Sequence, residues 1–142
     1  QGLYLFAHDT EANLVKTWAV ERFVDVARKR FVRFQLPSNW RPRAHIAHAF
    51  GIISGPAEEV VIAFTERVAA YIRERTWHPS QSFRTRRDGR IEVSMHVAIT
   101  VELRTWLQGF GADAEVVGPA SLREHIRHAL CAAGAQYDGD DP

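Results

Sequence analysis

Apolar and polar residues alternate from Leu3 to Ala7 and again from Leu14 to Val20, on either side of the polar turn Glu11-Ala12-Asn13. A period of two predicts paired strands whose faces differ. A third apolar run, Phe23 to Val26, precedes the basic cluster Arg28-Lys29-Arg30, and Phe31, Phe34 and Leu36 continue the pattern to Pro37. These segments read as strands of a small barrel. Ser38 to Pro42 is irregular, and Arg43 to Phe50 is predicted to be a short helix capped by Gly51. The Gly and Pro content of residues 51–56 marks a linker, so the pattern predicts one domain over 1–54 and another over 55–142.

The second region has a sharper pattern. Glu58 to Phe64 has the β-branched content of a strand, and Thr65 and Glu66 open a helix that Pro79 ends. Phe83 and Thr85 lead to Asp88-Gly89, a strong hairpin signal, and Ile91, Val93, Met95 and Val97 then alternate with Glu92, Ser94 and His96. From Thr100 a helix places Leu103, Trp106, Leu107 and Phe110 at i, i+3, i+4 and i+7, with Gly111 as a left-handed cap. Ala114 to Val117 is a fourth strand, and Ser121 to Ala133 a last helix with Leu122, Ile126 and Leu130 on one side. The order βαββαβ plus a helix is that of a ferredoxin-like module, giving an α+β chain overall. Val61 and Ala63 form an apolar stripe on the sheet face turned away from Val60, Ile62 and Phe64, which suggests pairing with a second copy. The tail from Gln136 to Pro142 is expected to fray.

The formal charge of +1 conceals an asymmetry: residues 1–54 hold eight Lys/Arg against four Asp/Glu, and residues 55–142 hold ten against thirteen. A basic first region suits an anionic partner, while local solubilising charge explains the same count equally well. No run approaches the roughly 20 apolar residues of a membrane helix. No basic leader and apolar signal core follow Gln1, so a cytoplasmic protein is expected. The single cysteine, Cys131, lies in an apolar helical stretch and reads as a buried thiol.

The segment Arg73-Glu74-Arg75-Thr76-Trp77-His78-Pro79-Ser80-Gln81 resembles the helix end of the C-terminal extension (WCX) found in WYL-domain transcriptional regulators, a likeness that runs from about Glu58 to Ala133. Gly2 to Asp9 looks like the strand that names the WYL domain, with Leu3 at the usual Trp position. Val15 to Phe23 resembles a strand whose basic residues face a ligand in that family; Lys16 stands for the first Arg, Ala19 replaces the second and Arg22 keeps the third. The resemblance implies part of a WYL domain with an Sm-like barrel, then WCX. It implies a homodimer that senses single-stranded nucleic acid or a nucleotide. Promoter DNA would be bound by a winged helix-turn-helix domain outside this chain, and strands upstream of Gln1 are expected too.

A phosphate-bearing ligand needs cations and flat rings. Tyr4, Lys16, Trp18 and Arg22 supply both, and a regular strand would put Lys16 and Trp18 on one face, joined by Arg22 if the strand continues. The same residues also fit a barrel core around Trp18 with solvated edge charges. Arg84 and Arg86 share a face at the hairpin tip, a second candidate for an anion, and Arg28, Lys29, Arg30 and Arg33 suit a guarded strand edge. His45 with His48, and His125 with His128, lie one turn apart, but lack the further ligands a metal needs. Trp77-His78-Pro79 reads as helix-end architecture, His78 bonding a free carbonyl. No nucleophile elbow, phosphate loop or dinucleotide motif is present, and Phe64-Thr65-Glu66 is acidic where an acylphosphatase-like enzyme would cradle phosphate. Neither catalysis nor a cofactor is expected. A protein-interaction module without any ligand is the competing reading.

Overall fold

The computed structural model describes residues 2–138, apart from the side chains of Arg43 and His45, so the His45 half of the first histidine pair and the tail beyond Asp138 lie outside the described residues. The chain forms two compact units that divide between Pro42 and Arg43.

The first unit holds a two-stranded antiparallel sheet, β1 (Tyr4–Asp9) and β2 (Leu14–Ala19). The Asp9 carboxylate organises the turn by accepting the Glu11 and Ala12 N–H groups, each at 3.0 Å. Asn13, at φ 50, takes the left-handed conformation that an Asn tolerates. Beyond β2 the chain curls into a 3-10 turn, Val20–Arg22, and the third strand expected at Phe23 to Val26 does not form. A strand persists where a neighbour takes its backbone hydrogen bonds; here Val24 and Val26 are exposed.

The division falls within a single helical turn, α1 (Pro42–His45), where a longer helix from Arg43 to Phe50 was predicted. The residues after it, the supposed linker included, are strapped to the second unit. His48 O accepts the Ala98 N–H at 2.8 Å, Ala49 is buried, and the Phe50 ring lies 4.8 Å from that of Trp106. The Glu102 carboxylate accepts the Ile52 and Ile53 N–H groups at 2.9 Å. Gly51 leaves room for this approach, since a Cβ there would stand 2.5 Å from Glu102 Oε1 and push the carboxylate aside. Residues 43–55 thus pack with the second unit, and the hydrogen bonds to a distant carboxylate that hold them leave no local signal.

Four antiparallel strands, β3 (Ala57–Phe64), β4 (Ser82–Thr85), β5 (Ile91–Ala98) and β6 (Ala114–Gly118), lie in the order β4-β5-β3-β6. Helix α2 (Glu66–Arg73) joins β3 to β4, α3 (Val101–Gln108) joins β5 to β6, and α4 (Ala120–Ala135) follows. Pairing of Val60 with Met95, Ile62 with Val93 and Phe64 with Ile91 gathers the alternating apolar residues on one face. Ile72, Leu103, Leu107, Leu122 and Ile126 of the helices close over them in one buried cluster. Thr65 and Asp113 tie α2 to the base of β6: Thr65 Oγ1 donates to Asp113 Oδ1 at 2.5 Å and Arg67 reaches the same carboxylate. Cys131 is exposed, not buried as expected. Five positions past the core residue Ile126, it is turned about 140° around the helix.

Candidate anionic-ligand surfaces

Residues directly opposite in an antiparallel pair share a face. In β1 and β2 the pairs Leu5 with Trp18, Ala7 with Lys16 and Asp9 with Leu14 define one face, and Tyr4 with Ala19, Phe6 with Thr17 and His8 with Val15 define the other. Lys16 and Trp18 therefore stand together, the ammonium 6.0 Å from the indole centroid, and Trp18 is exposed. Tyr4 is on the opposite face and does not join them, because its partner Ala19 is out of phase with Trp18. Arg22 leaves the pleat with the 3-10 turn and forms no ion pair among the described residues. On Tyr4's side of the sheet Phe6, His8 and Val15 join Phe34, Leu36 and Trp40 around an apolar cavity of about 370 Å³.

Lys16 Nζ donates to Asp9 Oδ2 at 2.5 Å. This bond first, with the Ala12 and Glu11 N–H groups adding to it, holds the Asp9 carboxyl at about 2 against an ordinary 3.8. Because the folded value lies below the unfolded one, the pair stabilises the hairpin above about pH 4, and that contribution disappears as pH falls from about 4 to about 2. An NMR titration should give Asp9 a midpoint near 2, and Lys16→Ala should move it back toward 3.8; an unmoved midpoint would place the cause elsewhere.

The second surface is the β4–β5 hairpin tip. The hairpin turns at Asp88-Gly89, but over three residues, Arg87 to Gly89, rather than the two that the sequence signal predicts, with Gly89 at a φ of 83 that favours glycine. Arg84 and Arg86 do share a face: both converge on the buried Glu92 carboxylate, at 2.7 and 3.5 Å. Arg90 bridges Asp88 at 2.7 Å and Glu115 at 2.5 Å, and Arg123 of α4 reaches Glu115 at 2.8 Å. The hydrogen bond from Arg90 holds the Asp88 carboxyl below its usual value, and that from Arg123, then Arg90, does so for Glu115. Arg84, Thr85, Arg86, Arg87 and Asp88 line an open cleft of about 450 Å³. Arg84, Arg86, Arg90 and Arg123 are thus paired with Glu92, Asp88 and Glu115, and the Glu66 side chain packs against Gly89 at the turn. The carboxylates that preorganise these guanidiniums escaped the sequence reading; the pairing of Glu92 with Arg84 across the hairpin was the available signal.

Below this surface the Tyr71–Gln81 segment bonds largely to itself. Gln81 Oε1 accepts the Trp77 N–H at 2.6 Å and the His78 N–H at 3.2 Å, and Gln81 Nε2 donates to Arg75 O at 2.9 Å. The Trp77 indole donates to Ile72 O, closing the end of α2. His78, buried, bonds a carbonyl, but that of Ala47 at 3.0 Å rather than one at the end of α2, and its other nitrogen meets Ser80 Oγ at 2.7 Å. Among the described residues no helix is long and apolar enough to cross a membrane.

The WCX domain model matches residues 56–134. Two curated relatives, Protein PafC from Mycobacterium tuberculosis strains CDC 1551 / Oshkosh and ATCC 25618 / H37Rv, are each 29% identical over 139 residues, covering 98% of this chain and 42% of theirs. This chain thus spans less than half the length of those relatives. Proteasome accessory factor B/C (PafBC) of Arthrobacter aurescens shares the fold with a TM-score of 0.51 at 19% identity, over 99% of this chain and 22% of that one. With a match that takes in both the self-bonded helix end and the four-stranded sheet, the chain belongs to the WCX-domain family, the extension of the WYL-type regulators that its Tyr71–Gln81 segment resembles.

Proposed function

We propose that this chain is the effector-sensing and dimerisation region of a WYL-type DNA-binding transcriptional regulator. In this reading the β1–β2 hairpin is part of an Sm-like barrel. The strand order β4-β5-β3-β6, with helices after the first and third strands in sequence, supports a ferredoxin-like plan for the second unit. The observation that carries the ligand is the exposed pair Lys16 and Trp18 on one sheet face, a cation for a phosphate beside a ring on which a base can stack. The effector is then single-stranded nucleic acid or a nucleotide, with the Arg84 and Arg86 cleft as a second anion surface. The apolar stripe expected from Val61 and Ala63 is not free for a second copy, because Ala63 lies buried between Glu92 and Glu115 on the charged face. Two copies pair through another surface, and ligand binding shifts the dimer between states that differ in affinity for promoter DNA, held by a domain outside this chain. The region is non-catalytic and uses no cofactor.

The test is a titration of short single-stranded DNA and of cyclic dinucleotides at two salt concentrations, for the parent and for Lys16→Ala with Arg22→Ala. The double variant should bind about tenfold or more weakly, and for single-stranded DNA its salt slope should be shallower by about 1.4, the loss of two phosphate contacts. Absence of binding by both ligand classes, or equal binding by the double variant, would refute the reading. A second reading, a protein-interaction module with no ligand, is favoured by the Lys16–Asp9 bond, which already occupies the ammonium.

A further inference from the structure

A cavity of about 340 Å³ in the second unit is lined by Glu58 of β3, Ile99, Arg104 of α3, and Ser121, Leu122 and His125 of α4. We propose that it binds a small zwitterion of the α-amino acid class, with the carboxylate on Arg104 and Ser121 and the ammonium at Glu58. The site is apart from the surfaces described above and does not depend on the nucleic-acid reading.

Arg104 carries the argument. Its Nε is buried and has no hydrogen-bond partner among the described residues. That atom is closed off from the cavity, so the guanidinium of this cavity-lining residue would meet a ligand through its terminal nitrogens, which are in no ion pair among the described residues and favour an incoming acceptor. Elsewhere in this unit Arg67, Arg84, Arg86, Arg90, Arg123 and Arg127 are in ion pairs, whereas Arg104, like Arg73, Arg75 and Arg87, is in none among the described residues. Arg104 and Glu58 line one cavity with opposite charges, yet no ion pair joins them among the described residues. A purely anionic ligand would bring its charge toward Glu58, and a purely cationic one toward Arg104; a molecule with both charges answers both walls. Ser121 and His125, one helical turn apart on α4, add hydrogen-bonding groups on the same wall. Leu122 and Ile99 suit a short aliphatic stem. The volume falls at the lower end of ligand sites, roughly 300–1,000 Å³.

Calorimetric titration of the whole chain with free α-amino acids tests this, each compared with the matching amine lacking the carboxylate and the matching acid lacking the amine. At least one amino acid should bind saturably, with both truncated analogues weaker by about tenfold or more. Arg104→Gln should lose about tenfold or more, and Glu58→Gln should bring the acid and the amino acid to equal affinity. Binding of none up to about 10 mM, equal binding of the acid by the parent, or indifference to Glu58→Gln would overturn the proposal. Glu58 is exposed, so that variant decides the matter even if Arg104→Gln perturbs the fold.

Discussion

Trp106→Ala should destabilise the second unit by about 3–5 kcal/mol, the largest loss expected from a single truncation in this protein. The indole is the hub of the aromatic packing beneath the helices. Its ring lies 4.8 Å from Phe50, 4.9 Å from Trp77, 5.1 Å from Phe110 and 5.8 Å from Phe64. Truncation leaves a cavity bordered by four rings from four different segments, which cannot all collapse inward without moving β3, the strap before it and the end of α2. Trp106→Phe should behave differently. The indole Nε1 is buried without a partner, so Phe removes an unpaired donor while keeping a ring, and about 1 kcal/mol or less is expected. Urea unfolding followed by circular dichroism measures both; equal losses would mean that the packing argument is wrong.

Gln81→Ala should cost about 2–3 kcal/mol, more than is usual for a half-exposed polar side chain. The amide makes three hydrogen bonds to backbone groups of residues 75–78, where the chain leaves α2 and no helical partner is available. Gln81→Glu retains the two acceptor contacts and loses the donation to Arg75 O, so it should fall between the parent and Gln81→Ala. If both variants are as stable as the parent, the self-bonded helix end is not what holds this turn.

The elements of the second unit were legible because each carries its own period. The alternation of Ile91, Val93, Met95 and Val97, the Leu103-Trp106-Leu107 spacing and the Asp88-Gly89 turn are local, and all three appear at the expected places. What failed was non-local. The strap at residues 48–53 is fixed by Glu102, some fifty residues away in sequence, and nothing in a Gly- and Pro-rich stretch announces such a partner. The Phe23 to Val26 run has a strand's composition but pairs with no strand among the described residues. In the candidate site, alternation placed Lys16 and Trp18 together correctly, but Tyr4 depends on the hairpin register, which one-strand periodicity does not set. Asp9 was read only as part of a strand, and its grip on Lys16 needed the paired geometry.

The central claim is that a phosphate-bearing ligand lies on the Lys16–Trp18 face of the first unit. The most direct measurement is an NMR titration of the whole chain with a short single-stranded DNA at low salt, following the backbone amides of β1 and β2 and the Trp18 indole N–H. The account predicts the largest shifts at the Trp18 indole, Lys16 and Ala7, suppressed by salt. Shifts centred on Phe6, His8 and Val15 around the opposite cavity, or none at all, would contradict it.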